Sequence, residues 1–155
     1  MRILAYILVV MVWGSCGVSA QETAPARTQA GAEHFVVMDV LVETGQQPLA
    51  AYQIELATTN AAGQVKIVGI EGGDPTPFRT APYYDPAALK GGRVILGGFS
   101  TAPVEQLPRG SVRIASVHCL VTGDLHPAFQ TKISAAATGG GQSIHVQANV
   151  KERNQ

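Results

Sequence analysis

The chain has 155 residues with 11 basic and 11 acidic side chains, and only 14% of its residues are charged. Nucleic acid and anionic membrane surfaces are both met by clustered Lys and Arg, and so balanced a composition offers no such footprint. The length is that of one domain once any targeting segment is set aside.

Residues 1–20 read as a secretory signal peptide. Arg2 is their only charge, Ile3 to Trp13 is an almost unbroken apolar run, and Val18-Ser19-Ala20 offers a small-residue cleavage site before Gln21. A transmembrane helix needs about 20 apolar residues. Gly14-Ser15-Cys16-Gly17 interrupts this run too early, so no stable membrane span is expected. Cleavage after Ala20 leaves 135 residues with net charge −1 and Cys119 as their single cysteine, so no intrachain disulfide is available. Cys16 carries a competing reading, a lipoprotein anchored there as the acylated N-terminus. Gly14 and Ser15 are the small pair such a site wants, although Trp13 stands where an aliphatic residue is usual. One acyl chain without a polybasic patch gives only a modest anchor. Either reading places the protein outside the cytoplasm, secreted or in the periplasm or cell envelope.

Residues 21–32 are rich in Ala, Thr and Gln and read as a disordered lead-in. Val36, Met38, Val40 and Val42 then share one face of a period-two segment, with Gly45 in the turn that follows. Tyr52, Ile54 and Leu56 alternate with Gln53 and Glu55, the pattern of a half-buried strand. Val65 to Ile70, Val94 to Phe99 and Val112 to Val121 are three further β-branched runs. Lys132 to Ala137 and Ile144 to Val150 supply two more, separated by Gly139-Gly140-Gly141. Asp85-Pro86-Ala87-Ala88-Leu89 is the single helix signal, with Asp85 able to cap and Pro86 suited to the first helical position. Seven short strands with turn signals between them predict an all-β fold, an antiparallel β-sandwich over residues 33–150, with a polar tail at 151–155.

The segment from Gly72 to Gly92 exceeds what a minimal sandwich needs. It holds no predicted strand, carries Pro75, Pro77, Pro82 and Pro86, and includes Phe78, Tyr83 and Tyr84. Loops of that length in compact domains tend to be functional, and prolines stiffen them.

Three stretches carry a family resemblance. Pro48-Leu49-Ala50-Ala51-Tyr52-Gln53-Ile54-Glu55-Leu56 is followed by Val65-Lys66-Ile67-Val68-Gly69-Ile70-Glu71-Gly72-Gly73, and later by Leu107-Pro108-Arg109-Gly110-Ser111-Val112-Arg113-Ile114-Ala115-Ser116-Val117-His118-Cys119. Their order resembles a cohesin-type domain, within the wider group of carbohydrate-binding-module-like jelly rolls, and the likeness spans about Phe35 to Val150. The stretch from Glu71 to Pro86 is also similar to that of small exported bacterial proteins. Where cohesins carry Tyr-Asp-Pro after the second strand, this chain has Thr58-Thr59-Asn60; its own Tyr84-Asp85-Pro86 falls in the later loop. The resemblance implies a sandwich and a non-catalytic binding role toward a protein partner or a polysaccharide.

The aromatic loop is the candidate ligand site. Sugar rings stack on aromatic faces through their C–H edges, and carboxylates accept hydrogen bonds from hydroxyls. Phe78, Tyr83 and Tyr84, with Glu71, Asp74, Asp85 and Arg79 nearby in sequence, offer both elements. The competing reading is that Phe78 and one tyrosine plug an open end of the sandwich. Glycoside hydrolysis would need two carboxylates roughly 5–10 Å apart. Nothing in the spacing brings Glu71 and Asp85 together, and Asp85 already has a role as a cap. Glu71, Asp74, Asp85 and loop carbonyls leave a structural calcium open, without the ordered Asp-x-Asp spacing of a dedicated loop. His34, His118, His126 and His145 lack zinc-ligand spacing. Alternation places His118 toward solvent and Cys119 on the apolar face as an inert thiol. No catalytic machinery or cofactor is expected. The alternative to a binding module is a structural or assembly component of the cell envelope that self-associates through edge strands.

Overall fold

The computed structural model describes residues 31–153. The expected signal peptide, Cys16 and nearly all of the expected lead-in lie outside the described residues. The described chain forms β1 (Glu33–Glu43), β2 (Ala51–Thr58), β3 (Val65–Gly72), β4 (Arg93–Phe99), β5 (Ser111–Thr122), β6 (Phe129–Ala137) and β7 (Gln147–Glu152). They build two antiparallel sheets, one ordered β3-β5-β1-β7 and the other β4-β2-β6, packed on one core as a β-sandwich. Among the described residues no helix is long and apolar enough to cross a membrane.

The alternation that predicts the strands also builds the core. Val36, Met38, Val40 and Val42 of β1 point inward and meet Tyr52, Ile54 and Leu56 of β2 and Val94 and Leu96 of β4 within one cluster. In β5 the phase breaks. Val40 faces Ala115 while Leu41 faces Arg113, leaving Ile114 as a bulged extra residue. The bulge lets Val112 and Ile114 point inward on one side of it and Ala115, Val117, Cys119 and Val121 on the other. It also leaves Arg113 on the outer face.

The last strand differs from expectation. Ile144 and Val146 are buried but not in β7, which starts at Gln147 and runs through Lys151 and Glu152, into the expected polar tail. Ile144 N–H donates to Ala136 C=O at the end of β6 (2.9 Å), so the chain is still held by the three-stranded sheet there. It crosses to the other sheet only afterwards. The apolar spacing continues through 144, 146, 148 and 150, so the crossing leaves no break in the pattern.

The Gly72–Gly92 segment is a strap that closes the side of the sandwich between β3 and β4, the adjacent edges of the two sheets. Asp74 N–H donates to Arg113 C=O (3.0 Å), and Tyr83 exchanges both backbone bonds with Gly97 (2.7 and 2.8 Å). Lys90 N–H donates to Ile67 C=O (2.7 Å), and Ile67 N–H returns to Gly91 C=O (2.9 Å). The strap therefore covers backbone that would otherwise be an open sheet edge. A Cβ on Gly72 would run into the Arg79 carbonyl, and one on Gly73 into the Arg113 carbonyl, so the entry demands glycine. The expected helix is a 3₁₀ turn, Pro86–Ala88, whose Ala87 N–H is capped by Asp85 Oδ1 at 2.9 Å. Two more proline-led 3₁₀ turns, Thr76–Phe78 and Val104–Gln106, were not expected from sequence.

Candidate functional site

In β4, Val94 and Leu96 point to the core, so Arg93, Ile95, Gly97 and Phe99 face outward on the three-stranded sheet. Because Tyr83 is bridged to Gly97, its side chain rises on that same face beside Phe99. The two rings are parallel to within 5° with centroids 6.0 Å apart. Tyr83 is 72% exposed and Phe99 62% exposed, so most of each ring meets solvent. Gly97 carries no side chain between Ile95 and Phe99, and the neighbouring outward positions on β2 and β6 include Ala51 and Ala135. The ground around the rings is therefore low.

Behind the pair lies a depression of about 330 Å³ lined by Tyr52, Phe78, Pro82 and Gly98 together with the rings. Phe78 is buried and meets Tyr52 edge-on, centroids 5.2 Å apart at 73°. Tyr52 Oη donates to Ile114 C=O at 3.4 Å, and burial raises its hydroxyl well above the usual phenol range. An added Cβ on Gly98 would come within 2.6 Å of the Tyr52 ring, so this position too is closed to larger residues.

The sequence-nominated residues thus divide. Phe78 is a core plug, Tyr84 is half-buried against the core, and Tyr83 alone of the three is presented to solvent. Arg79 is exposed, and Asp85 is exposed with its carboxylate on the Ala87 N–H. Glu71 lies on β3 of the other sheet and Asp74 in the strap just beyond it. Glu71 Oε1 is 3.2 Å from His118 Nε2, within ion-pair range but without an aligned hydrogen bond. His118, expected to face solvent, lies on the outer face opposite Gly69 of β3 and is half-buried there.

Asp74 is bound by Arg113 through both Nε and Nη2. This pair belongs to a polar cluster on the outer face of the four-stranded sheet. Ser116 Oγ donates to Asp39 Oδ1 (3.0 Å) and accepts from Arg113 and Arg153 (both 2.5 Å), while Arg153 also grips Asp39. Burial acts to raise the Asp39 carboxyl, but hydrogen bonds from Arg153 and Ser116 and the charges of Arg153 and Arg113 hold it below its ordinary value. The Arg113 hydrogen bond likewise holds Asp74 down. Ser116 is fully buried under these groups, so the cluster ties β1, β5, the strap and the end of β7 together. No three His, Cys, Asp or Glu side chains among the described residues gather as a metal ion would require. Cys119 is buried, and burial pushes its thiol up to about 12.

Phe99 and Ile95 belong to the exposed face and were not nominated from sequence. Their signal was present: Phe99 is out of phase with the inward Val94 and Leu96. Comparison with known proteins finds no matching family model, no similar curated protein and no similar solved structure.

Proposed function

We propose that the chain is an exported, non-catalytic binding module of the cohesin-like, carbohydrate-binding-module jelly-roll type, and that its ligand is a polysaccharide laid across Tyr83 and Phe99. The observation that carries this reading is the stacked, solvent-facing pair of rings on the outer face of the three-stranded sheet. Large aromatic rings contribute most when buried, and two left side by side in water mark a surface awaiting a partner. Sugar rings present apolar C–H faces that suit such a platform. Gln53, Glu55 and Arg93 supply hydrogen-bonding groups on the same face, with Arg93 Nε on Glu55 Oε1 at 2.6 Å. Export is supported by the residue pattern of positions 1–20.

Affinity electrophoresis of the mature chain through gels containing soluble polysaccharides tests the reading. Tyr83→Ala and Phe99→Ala are each expected to weaken retardation about tenfold, the equivalent of about 1.4 kcal/mol. Unchanged retardation in both variants refutes it. A protein partner is the second reading, favoured by exposed Ile95 beside the Arg93–Glu55 pair, an apolar spot rimmed by charge. An Ile95→Lys variant that loses capture of a protein while polysaccharides leave the wild type unretarded would establish it instead.

A further inference from the structure

Phe99, Ala51 and Ala137 stand opposite one another in a single row across β4, β2 and β6, and Ala137 is bridged in turn to Ser143. Small side chains thus lead from the aromatic pair across the sheet to the end of the sandwich. Two strand spacings separate Phe99 from Ala137, about 10 Å. Beyond this row three loops border an open depression of about 720 Å³, the larger of the two at this end. Gln46, Gln47, Thr138 and Gln142 line it with polar groups, and Pro48 and Val104 give it apolar wall. None of its lining residues is ionisable.

The loops are fixed to one another. Leu49 N–H donates to Pro108 C=O (3.0 Å), Ala50 N–H to Ala137 C=O (2.8 Å) and Ser100 N–H to Ala50 C=O (2.7 Å). Gln142 N–H donates to Thr138 Oγ1 (3.3 Å) and its C=O accepts from Thr138 N–H (2.9 Å), so the backbone is pinned while the carboxamide stays exposed. A preformed site spends little of its binding energy on ordering itself.

Resting on the polysaccharide reading above, we propose that this cleft is a second subsite for the same ligand, and that the ligand is an uncharged polysaccharide. A carboxamide offers a donor and an acceptor together, which is what a sugar hydroxyl needs. An acidic polymer would call for a free Arg or Lys lining the depression; none does, and Arg109 beside it has its Nε on Gln46 C=O at 3.1 Å. The rings would hold one part of the chain and the carboxamides the next units along.

The test measures binding of the mature protein to glucomannan and mixed-linkage β-glucan, to alginate and polygalacturonate as acidic counterparts, and to a di-to-hexasaccharide series cut from whichever neutral polymer binds. The variants are Gln47→Ala/Gln142→Ala, Gln142→Glu and Tyr83→Ala; all three side chains are exposed, and unchanged far-UV circular dichroism checks folding. The expected result is retention by a neutral polymer only. The glutamine variants should lose about tenfold on the hexasaccharide and nothing on the disaccharide, as truncated hydrogen bonds at a distal subsite predict. Tyr83→Ala should lose on both. If Tyr83→Ala weakens binding but the glutamine variants match wild type at every length, the second subsite is refuted and the platform reading stands. Stronger retention by the acidic polymers overturns the uncharged ligand. Retention by none of the four polymers overturns the platform reading and this inference together.

Discussion

Phe78 and Tyr83 lie five positions apart in one strap, and their replacement by alanine should have opposite consequences. Phe78 is 4% exposed and packs edge-on against Tyr52. Removing a buried Phe costs about 3–5 kcal/mol, of which the edge contact supplies about 0.5–1.5. The lower end of that range, about 3 kcal/mol, sets the minimum expected loss. With a urea dependence of about 2 kcal/mol per molar, the unfolding midpoint of Phe78→Ala should fall by about 1.5 M. Tyr83 loses only its contact with Phe99, so Tyr83→Ala should change stability by less than about 1 kcal/mol while losing polysaccharide binding. The only tryptophan, Trp13, lies in the expected signal peptide, so unfolding is followed by far-UV circular dichroism on the mature chain. Equal midpoint losses for the two variants would refute the division into plug and platform, and so would a Phe78→Ala midpoint within 0.3 M of wild type, about 0.6 kcal/mol at that slope.

Acid should loosen the fold through Asp39 and Asp74. Both carboxyls are held below their ordinary value in the folded protein, so their stabilisation is full above about pH 4 and is lost as pH falls through the folded values. Urea midpoints should therefore drop as pH falls below about 4, and Asp39→Asn should begin less stable and drop less; equal declines in the two proteins would exclude Asp39 as a source. Cys119 should resist Ellman's reagent at pH 8 in the native protein and react fully in 6 M guanidinium, because its thiol is buried and raised to about 12. Labelling within minutes under native conditions would contradict that burial.

Most of the fold was legible because strand alternation and core burial are the same fact in a sandwich. Val36, Met38, Val40 and Val42 announce the inner face of β1 directly, and Tyr52, Ile54 and Leu56 that of β2. Alternation fails where its phase changes without a change in composition. Ile114 is an aliphatic residue in an aliphatic run, so nothing marks it as the bulge that turns Arg113 outward. Ile144 and Val146 keep the strand rhythm while the chain is passing between sheets. The strap was recognisable as unusual from its prolines and aromatics, yet its partners were not. Asp74 meets Arg113 and Glu71 meets His118 across pairs distant in sequence. The Tyr83–Phe99 pair depends on a single long-range bridge to Gly97.

That bridge explains how a loop residue can serve as a rigid platform. A tyrosine on a free loop would have to be ordered by its ligand, and that ordering would be subtracted from affinity. Tyr83 is instead held by two backbone hydrogen bonds to an edge strand, so the point from which its ring rises is set by the sheet. The adjacent glycines divide the requirements between the two faces of β4. Gly97 faces outward and keeps the surface low beside the rings, whereas Gly98 faces inward and admits the Tyr52 ring against which Phe78 packs. A side chain at Gly98 would displace Tyr52, then the Phe78 plug, and with it the strap that presents Tyr83. Sealing the edge of the sandwich and presenting an aromatic surface are therefore one structural solution, and damage to the seal should reach the platform even when Tyr83 itself is untouched.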